Sequence, residues 1–336
     1  MVASDAVAAL SDAGLDRARA YAARHDGLSL LILHDGGVVL ENHPEGGVDD
    51  AHPLHSGTKS FFGVLAAAAV QDGLLTLDER VSETLTEWRN DPYKVDATIR
   101  QLLTLTAGLP SQIGVIPTYA DAVAMPFSAA PGEQFQYGPA PFQVFGEVLR
   151  RKLCDAGRPA DPLAYLHDRI LDPIGLRYAD WARGADGLPR LPAGAVMSAR
   201  EWARFGELVR AGGMVDGAPV VDEQAFKAMF QGSGVNPAYG LTWWLPRPTP
   251  AADAVTRLND ASRHADALPA DLVMANGAGH QMLYVVPSLK LTIVRQARLD
   301  IVKVMREAGP DGPGPDDWSD FAFLSTLLGP PKDTPR

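Results

Sequence analysis

The chain has one cysteine, Cys154, so no internal disulfide can form and no cysteine-rich zinc site exists. It has no uninterrupted apolar stretch of the roughly 18 residues that a membrane-spanning helix needs. Bases are outnumbered, 30 Lys and Arg against 41 Asp and Glu, and the net charge of -11 comes with no basic cluster. That balance disfavours a nucleic-acid or anionic-membrane partner. There is no Gly-x-x-x-x-Gly-Lys loop, no Gly-x-Gly-x-x-Gly turn opening a helix, and no serine flanked as Gly-x-Ser-x-Gly. The N-terminus lacks the basic opening and unbroken apolar run of a secretion signal, because Asp5, Asp12 and Asp16 interrupt it. The expected compartment is therefore the cytoplasm. His52 and His55 flank Pro53-Leu54 without an acidic partner at ligand spacing, so neither a metal nor an organic cofactor is expected.

What is present is ordinary globular material: 336 residues, 46% hydrophobic and 21% charged. That length suggests two lobes or one large domain. Residues 4–25 place Val7, Leu10, Leu15, Ala18 and Ala22 at helical spacing. LSLLILHDGGVVLENH reads as two strands joined at Asp35-Gly36-Gly37. The run from Ser56 to Val70 is rich in Ala and Leu, free of proline, and stops at Asp72-Gly73, as a helix buried nearly all round would. Helical patterns dominate from about 75 to 200, with Cys154 packed in one of them. Strand signals return at YGLTWWL, LVMANG, MLYVV and LTIVRQ, and an apolar helix closes the chain at about 317–328. Trp243 and Trp244 would fall on opposite faces of the first of those strands. Residues 246–270 are too long for a hairpin loop and could form a flap over a site.

This order predicts an α+β fold. A mostly antiparallel sheet comes from N- and C-terminal segments (1–75 and 200–336) flanked by helices, with an all-helical lobe (76–199) inserted.

The chemistry concentrates in three places. Ser56-Gly57-Thr58-Lys59 puts a hydroxyl and an amine three residues apart, on one face, where an apolar helix begins. An amine inside such a helix is desolvated, its pKa falls, and its neutral form can take a serine proton. Tyr137 lies in PGEQFQYGP, on a loop before a helix at about 141–153, where a phenol near that amine could relay a proton. Met274-Ala275-Asn276-Gly277-Ala278-Gly279-His280-Gln281 joins two apolar strands, and its glycines allow close backbone approach. An N–H there, with that of Ser56, could form an oxyanion hole.

Ser56-x-x-Lys59, Tyr137 after a Pro-Gly turn, and a glycine-bearing strand near the C-terminus occur in the order that resembles the serine β-lactamase and penicillin-binding-protein superfamily. The likeness is closer to its class C β-lactamase-like hydrolases, which include serine esterases and 6-aminohexanoate-dimer hydrolases. It spans roughly residues 27–300. The resemblance implies Ser56 as acylated nucleophile, Lys59 as base, Tyr137 as proton-transfer partner and the Ala278 amide as second oxyanion donor. It implies a pocket lined by Tyr239, Trp243, Gly277, His280 and Gln281. The sequence departs from the family in two motifs. Pro139 stands where Tyr-x-Asn usually has its Asn, and Ala275-Asn276-Gly277 lacks the usual cation before Thr-Gly. Both changes argue against efficient β-lactam hydrolysis.

The expectation is thus a serine hydrolase acting on a small-molecule ester or amide through an acyl-enzyme. An acyltransferase on the same intermediate and a non-catalytic covalent sensor are the alternatives. Substrate identity and oligomeric state leave no readable pattern.

Overall fold

The computed structural model describes residues 10–110, 113–250, 259–309, 312–314 and 316–329. Helix α1, Asp12–Arg24, starts where the Ser11 hydroxyl accepts the Gly14 N–H. Strands β1, Gly27–His34, and β2, Gly37–Asn42, form the expected hairpin. Asp35 and Gly36 at its turn have φ of 49° and 79°, the doubly left-handed turn whose twist suits paired strands. A single tight turn, His55–Lys59, leads into helix α2, Ser60–Gln71, whose residues Ser60 to Ala69 are all buried. Helix α3, Ala140–Asp155, is the longest of the middle region, and helix α4, Ala199–Arg210, follows it in the chain. Strands β3, Val273–Gly277, β4, Gln281–Val286, and β5, Leu291–Ala297, complete the sheet before helices α5, Ile301–Glu307, and α6, Asp320–Leu328.

The main sheet has the order β2-β1-β5-β4-β3 and is antiparallel throughout. The N-terminal hairpin meets the C-terminal strands where Leu30 pairs with Arg295 and Ile32 with Ile293. Both faces are covered, so β4 and β5 are buried along their whole length. On one face α4 presses so close that a Cβ on Gly206 would lie 2.5 Å from the Thr292 methyl and 2.8 Å from Leu283. On the other, Tyr284 stacks on Phe323 of α6, and Gly14 of α1 sits against the Leu327 carbonyl. Double coverage is why these strands read as continuous apolar runs rather than alternating ones.

Three expectations need correction. YGLTWWL is not a strand: Tyr239 and Trp244 make only isolated bridges around a bend at Thr242, whose φ is 72°. Thr242 holds that costly conformation because its amide donates to Leu103 and Gly240, while its carbonyl and hydroxyl clamp Ser60 and Gly63 of α2. Residues 76–199 are not all helical, since Asp180–Trp181 and Ala195–Met197 pair with each other, and the latter with His52–Pro53, in a small sheet. Cys154 is exposed near the end of α3 rather than packed. The anticipated flap lies partly outside the described residues; its described part, Asp260–Ala267, docks on α6, with His264 stacked on Phe321 at 3.9 Å. Among the described residues no helix is long and apolar enough to cross a membrane.

Candidate active site

Ser56 sits not at the first turn of α2 but in the 3-10 turn just before it. Three residues per turn eclipse positions i and i+3, so the tighter turn aligns Ser56 and Lys59 better than an α-helix would. Lys59 Nζ donates to Ser56 Oγ at 2.7 Å and to the Pro192 carbonyl at 3.1 Å. The turn leading into the Ala195–Met197 strand supplies that carbonyl. Leu54 donates to the Ala195 carbonyl, and the Ala195 amide donates to the Thr58 hydroxyl, so the 192–195 segment is laced to the turn. Lys59 is only 4% exposed, and its Nζ lies 4.9 Å from the centre of the Tyr137 ring and 5.5 Å from that of Phe142. Burial disfavours the ammonium and pulls the Lys59 pKa down to about 7. A substantial fraction of this amine is therefore neutral near neutral pH. Ser56 is half-buried. His55, immediately before it, has φ 48°, a strained conformation for a residue with a side chain.

Tyr137 arrives from the loop before α3 and is 6% exposed. Its ring stacks on Trp244 (5.7 Å, 24°) and meets Tyr239 edge-on at 6.2 Å. Phe135 closes this aromatic cluster against Tyr239 at 5.4 Å. Burial raises the Tyr239 pKa, so its hydroxyl stays protonated. The two tryptophans divide the work differently from expectation. Trp243, expected in the pocket, is fully buried between Phe205 and Phe230, each 6.0 Å away, whereas Trp244 is the one beside Tyr137.

The third element is the turn from β3 to β4. A Cβ at Gly277 would lie 2.0 Å from the Leu54 carbonyl oxygen and 3.1 Å from the Gly57 nitrogen. Only glycine lets the end of β3 touch the turn that carries Ser56. Ala278 follows, then Gly279 and His280 with φ of 74° and 58°. Among the described residues, no backbone acceptor outside regular structure takes the Ser56 or Ala278 amide N–H. His280 and Gln281, expected in the pocket, have partners elsewhere. The His280 ring donates to Glu307 at 2.9 Å, and the Gln281 amide donates to the Ala297 carbonyl at 2.8 Å and accepts from its N–H at 3.0 Å.

Ser56, Lys59, Tyr137, Tyr239 and Gly277 are thus brought together, with Ala278 directly after Gly277. Sequence reasoning missed Trp244, Phe142 and the Pro192 carbonyl. Nothing in the sequence around Pro192 marks it, because a backbone acceptor has no residue signature. Among the described residues, the one group of three with ligand spacing, His167, Asp168 and Asp172, lies on the surface, with Asp172 bound to Arg177 at 2.7 Å.

The site thus holds a turn-borne serine touching a buried amine, beside the Tyr137 ring and close to the glycine at the end of β3. The sequence model of the Beta-lactamase family matches residues 11–300, and the chain belongs to that family. An uncharacterized protein of Alkalihalophilus pseudofirmus is 22% identical over 80% of this chain and 83% of its own length. A Bacteroides dorei protein whose name assigns it to the beta-lactamases superposes with TM-score 0.73 at 16% identity, over 96% of this chain and 100% of its own. EstCE1, described as a hydrolase with promiscuous acyltransferase activity, superposes with TM-score 0.68 at 17% identity, covering 94% and 99% of the two chains. The class C beta lactamase of Rhodobacter sphaeroides does so with TM-score 0.63 at 18% identity, covering 89% and 97%.

Proposed function

We propose that the protein is a serine hydrolase that cleaves a small ester or amide through an acyl-Ser56 intermediate. The observation that carries this reading is the 2.7 Å contact between Ser56 Oγ and the buried Lys59 amine. In its neutral form that amine keeps a lone pair for the Ser56 proton, while one N–H remains on the Pro192 carbonyl. Ser56 Oγ attacks the substrate carbonyl carbon as its proton passes to Lys59 Nζ. The amides of Ser56 and Ala278 hold the resulting oxyanion. Collapse of the tetrahedral intermediate breaks the bond to the leaving group, which takes the proton from Lys59 by way of the Tyr137 hydroxyl. Water, deprotonated by the same amine, then attacks the acyl carbon; the bond to Ser56 Oγ breaks and the proton passes from Lys59 back to that oxygen.

The motif departures bear on substrate class. Pro139 has no N–H to offer a β-lactam or peptide carbonyl, and Asn276 brings no cation for a penicillin carboxylate. Simple esters and linear amides fit better than penicillins. Acyl transfer to an alcohol or amine is a second reading. It is supported by the aromatic wall of Phe135, Tyr137, Tyr239 and Trp244 beside Lys59, which excludes water from one side of the site.

The test is turnover of p-nitrophenyl butyrate, with intact-mass detection of acylated protein, in the parent and in Ser56→Ala. A loss of several orders of magnitude in the variant, with the acyl adduct confined to the parent, is expected. Equal rates would overturn the assignment. Labelling of Ser56 by a fluorophosphonate without any turnover would favour a non-catalytic sensor, and products carrying an added alcohol would favour transfer.

A further inference from the structure

The turn Ala278-Gly279-His280 has no helix to stiffen it. It holds two consecutive left-handed residues, and one of them, His280, carries a side chain that makes this conformation costly. Something must hold it, and three contacts converge there. The Arg295 guanidinium donates from Nη1 to the His280 carbonyl at 2.7 Å. Glu307, 1% exposed at the end of α5, accepts from the His280 ring at 2.9 Å. The Gln281 side chain, tied to both backbone groups of Ala297, also reaches the Ala278 carbonyl at 3.4 Å.

Glu307 has the Arg306 guanidinium 3.8 Å away besides the His280 ring, whereas among the described residues no ion pair holds Arg295. Arg295 is 1% exposed, and its guanidinium lies 3.9 Å over the Trp318 ring while its other amino group donates to the His25 carbonyl. The second oxygen of Glu307 is buried with no hydrogen-bond partner among the described residues. Burying an arginine and a carboxylate is expensive, and plain packing would be served as well by apolar side chains. What these two have in common is that both grip His280, two residues beyond the Ala278 amide.

We propose that Glu307, through the His280 ring, and Arg295, through the His280 carbonyl, are positioning residues that hold the Ala278 amide in its oxyanion-binding orientation. The proposal rests on the acyl-Ser56 reading above. Neither residue touches substrate; each acts through the backbone of the turn. Gly277, pinned against Leu54, fixes one end of the segment, and the grip on His280 fixes the other. An amide free to swing by about an ångström between them would lose much of its value, since misplacement on that scale costs up to about 100-fold in rate.

The test compares Glu307→Leu, Glu307→Gln and the double variant His280→Asn/Glu307→Gln for ester turnover. Each is also assayed for inhibition by a trifluoromethyl ketone, which forms an oxyanion-bearing adduct on serine. Leucine removes the acceptor, glutamine keeps one, and asparagine tolerates the left-handed conformation but is too short to reach position 307. The expected result is a kcat about tenfold or more lower in Glu307→Leu and in the double variant, with KM little changed and near-parental kcat in Glu307→Gln. Ketone affinity should fall in step with kcat/KM, because both report oxyanion binding. A merely structural role would lower the melting temperature without this parallel loss. If Glu307→Leu does not fold, the double variant, which leaves no unpaired buried carboxylate, decides. kcat within twofold of the parent in folded Glu307→Leu, or in the folded double variant, overturns the proposal. Turnover surviving in Ser56→Ala would instead defeat the acyl-enzyme reading, a separate outcome.

Discussion

The two sides of the site are built by opposite means. The Ser56 side is local: hydroxyl and amine lie three residues apart in one tight turn, and the helix behind them is buried all round. The Ala278 side is assembled from afar, since its turn is held by Arg295, Ala297 and Glu307 and by contact with Leu54. Local construction makes reactivity depend on burial of one group. On the proposed reading, distant construction makes oxyanion binding depend on registry between segments some 220 residues apart, Leu54 and Gly277 being where they meet. Substitutions on the first side should damage chemistry and spare the fold; substitutions at the seam should damage both.

The largest effect is expected for Lys59→Met, which should lower kcat/KM by about 10,000-fold, the scale set by removal of a catalytic base in serine hydrolases. The same variant should gain thermal stability. The folded-state pKa of about 7 lies below the ordinary lysine value of 10.5, so between those pH values the unfolded chain binds a proton that the folded chain does not. Stability linked to Lys59 therefore rises with pH across that window, and below it the fold carries the full cost of a buried ammonium. The gain in melting temperature for Lys59→Met should accordingly be largest at pH 6 and shrink toward pH 10; an equal gain at both would break the distinction between chemistry and fold.

Gly277→Ala sharpens the seam side. Its Cβ would meet the Leu54 carbonyl at 2.0 Å, so one segment must move by about an ångström, with an expected loss of about 100-fold in kcat/KM together with a lower denaturation midpoint. Unchanged activity would show that the two segments need not touch. Tyr137→Phe keeps the ring on Trp244 but removes the hydroxyl. It should cost about 10- to 100-fold, more for substrates with poor leaving groups than for p-nitrophenyl esters, because only the former need the relayed proton. Smallest of all, Cys154→Ser at the exposed end of α3 should leave turnover within about twofold, as a surface change remote from both sides.

The same contrast explains what could be read in the sequence. The Asp35-Gly36 hairpin, the buried helix after Ser56 and the strands at 273–297 were legible because turn chemistry and apolar runs are local signals. That Ser56, Lys59, Tyr137 and Gly277 lie together is legible because spacing and flanking residues mark them. The sequence pattern places Trp243 and Trp244 on the faces of a strand that does not form, since the clamp of Thr242 on α2 is a tertiary contact that no local pattern encodes. For the same reason His280 and Gln281 were expected to face the pocket: that Glu307 and Ala297 would engage them depends on segments that meet only in the folded chain.

The central claim is that burial alone turns Lys59 into a base at neutral pH, and the direct measurement is the pH dependence of Ser56 acylation. Single-turnover acylation by p-nitrophenyl butyrate should fall about tenfold per pH unit on the acid side of an apparent pKa near 7, the value to which burial brings Lys59, and the limb should vanish in Lys59→Met. A flat profile from pH 5 to 9, or the same limb persisting in the variant, would contradict the account.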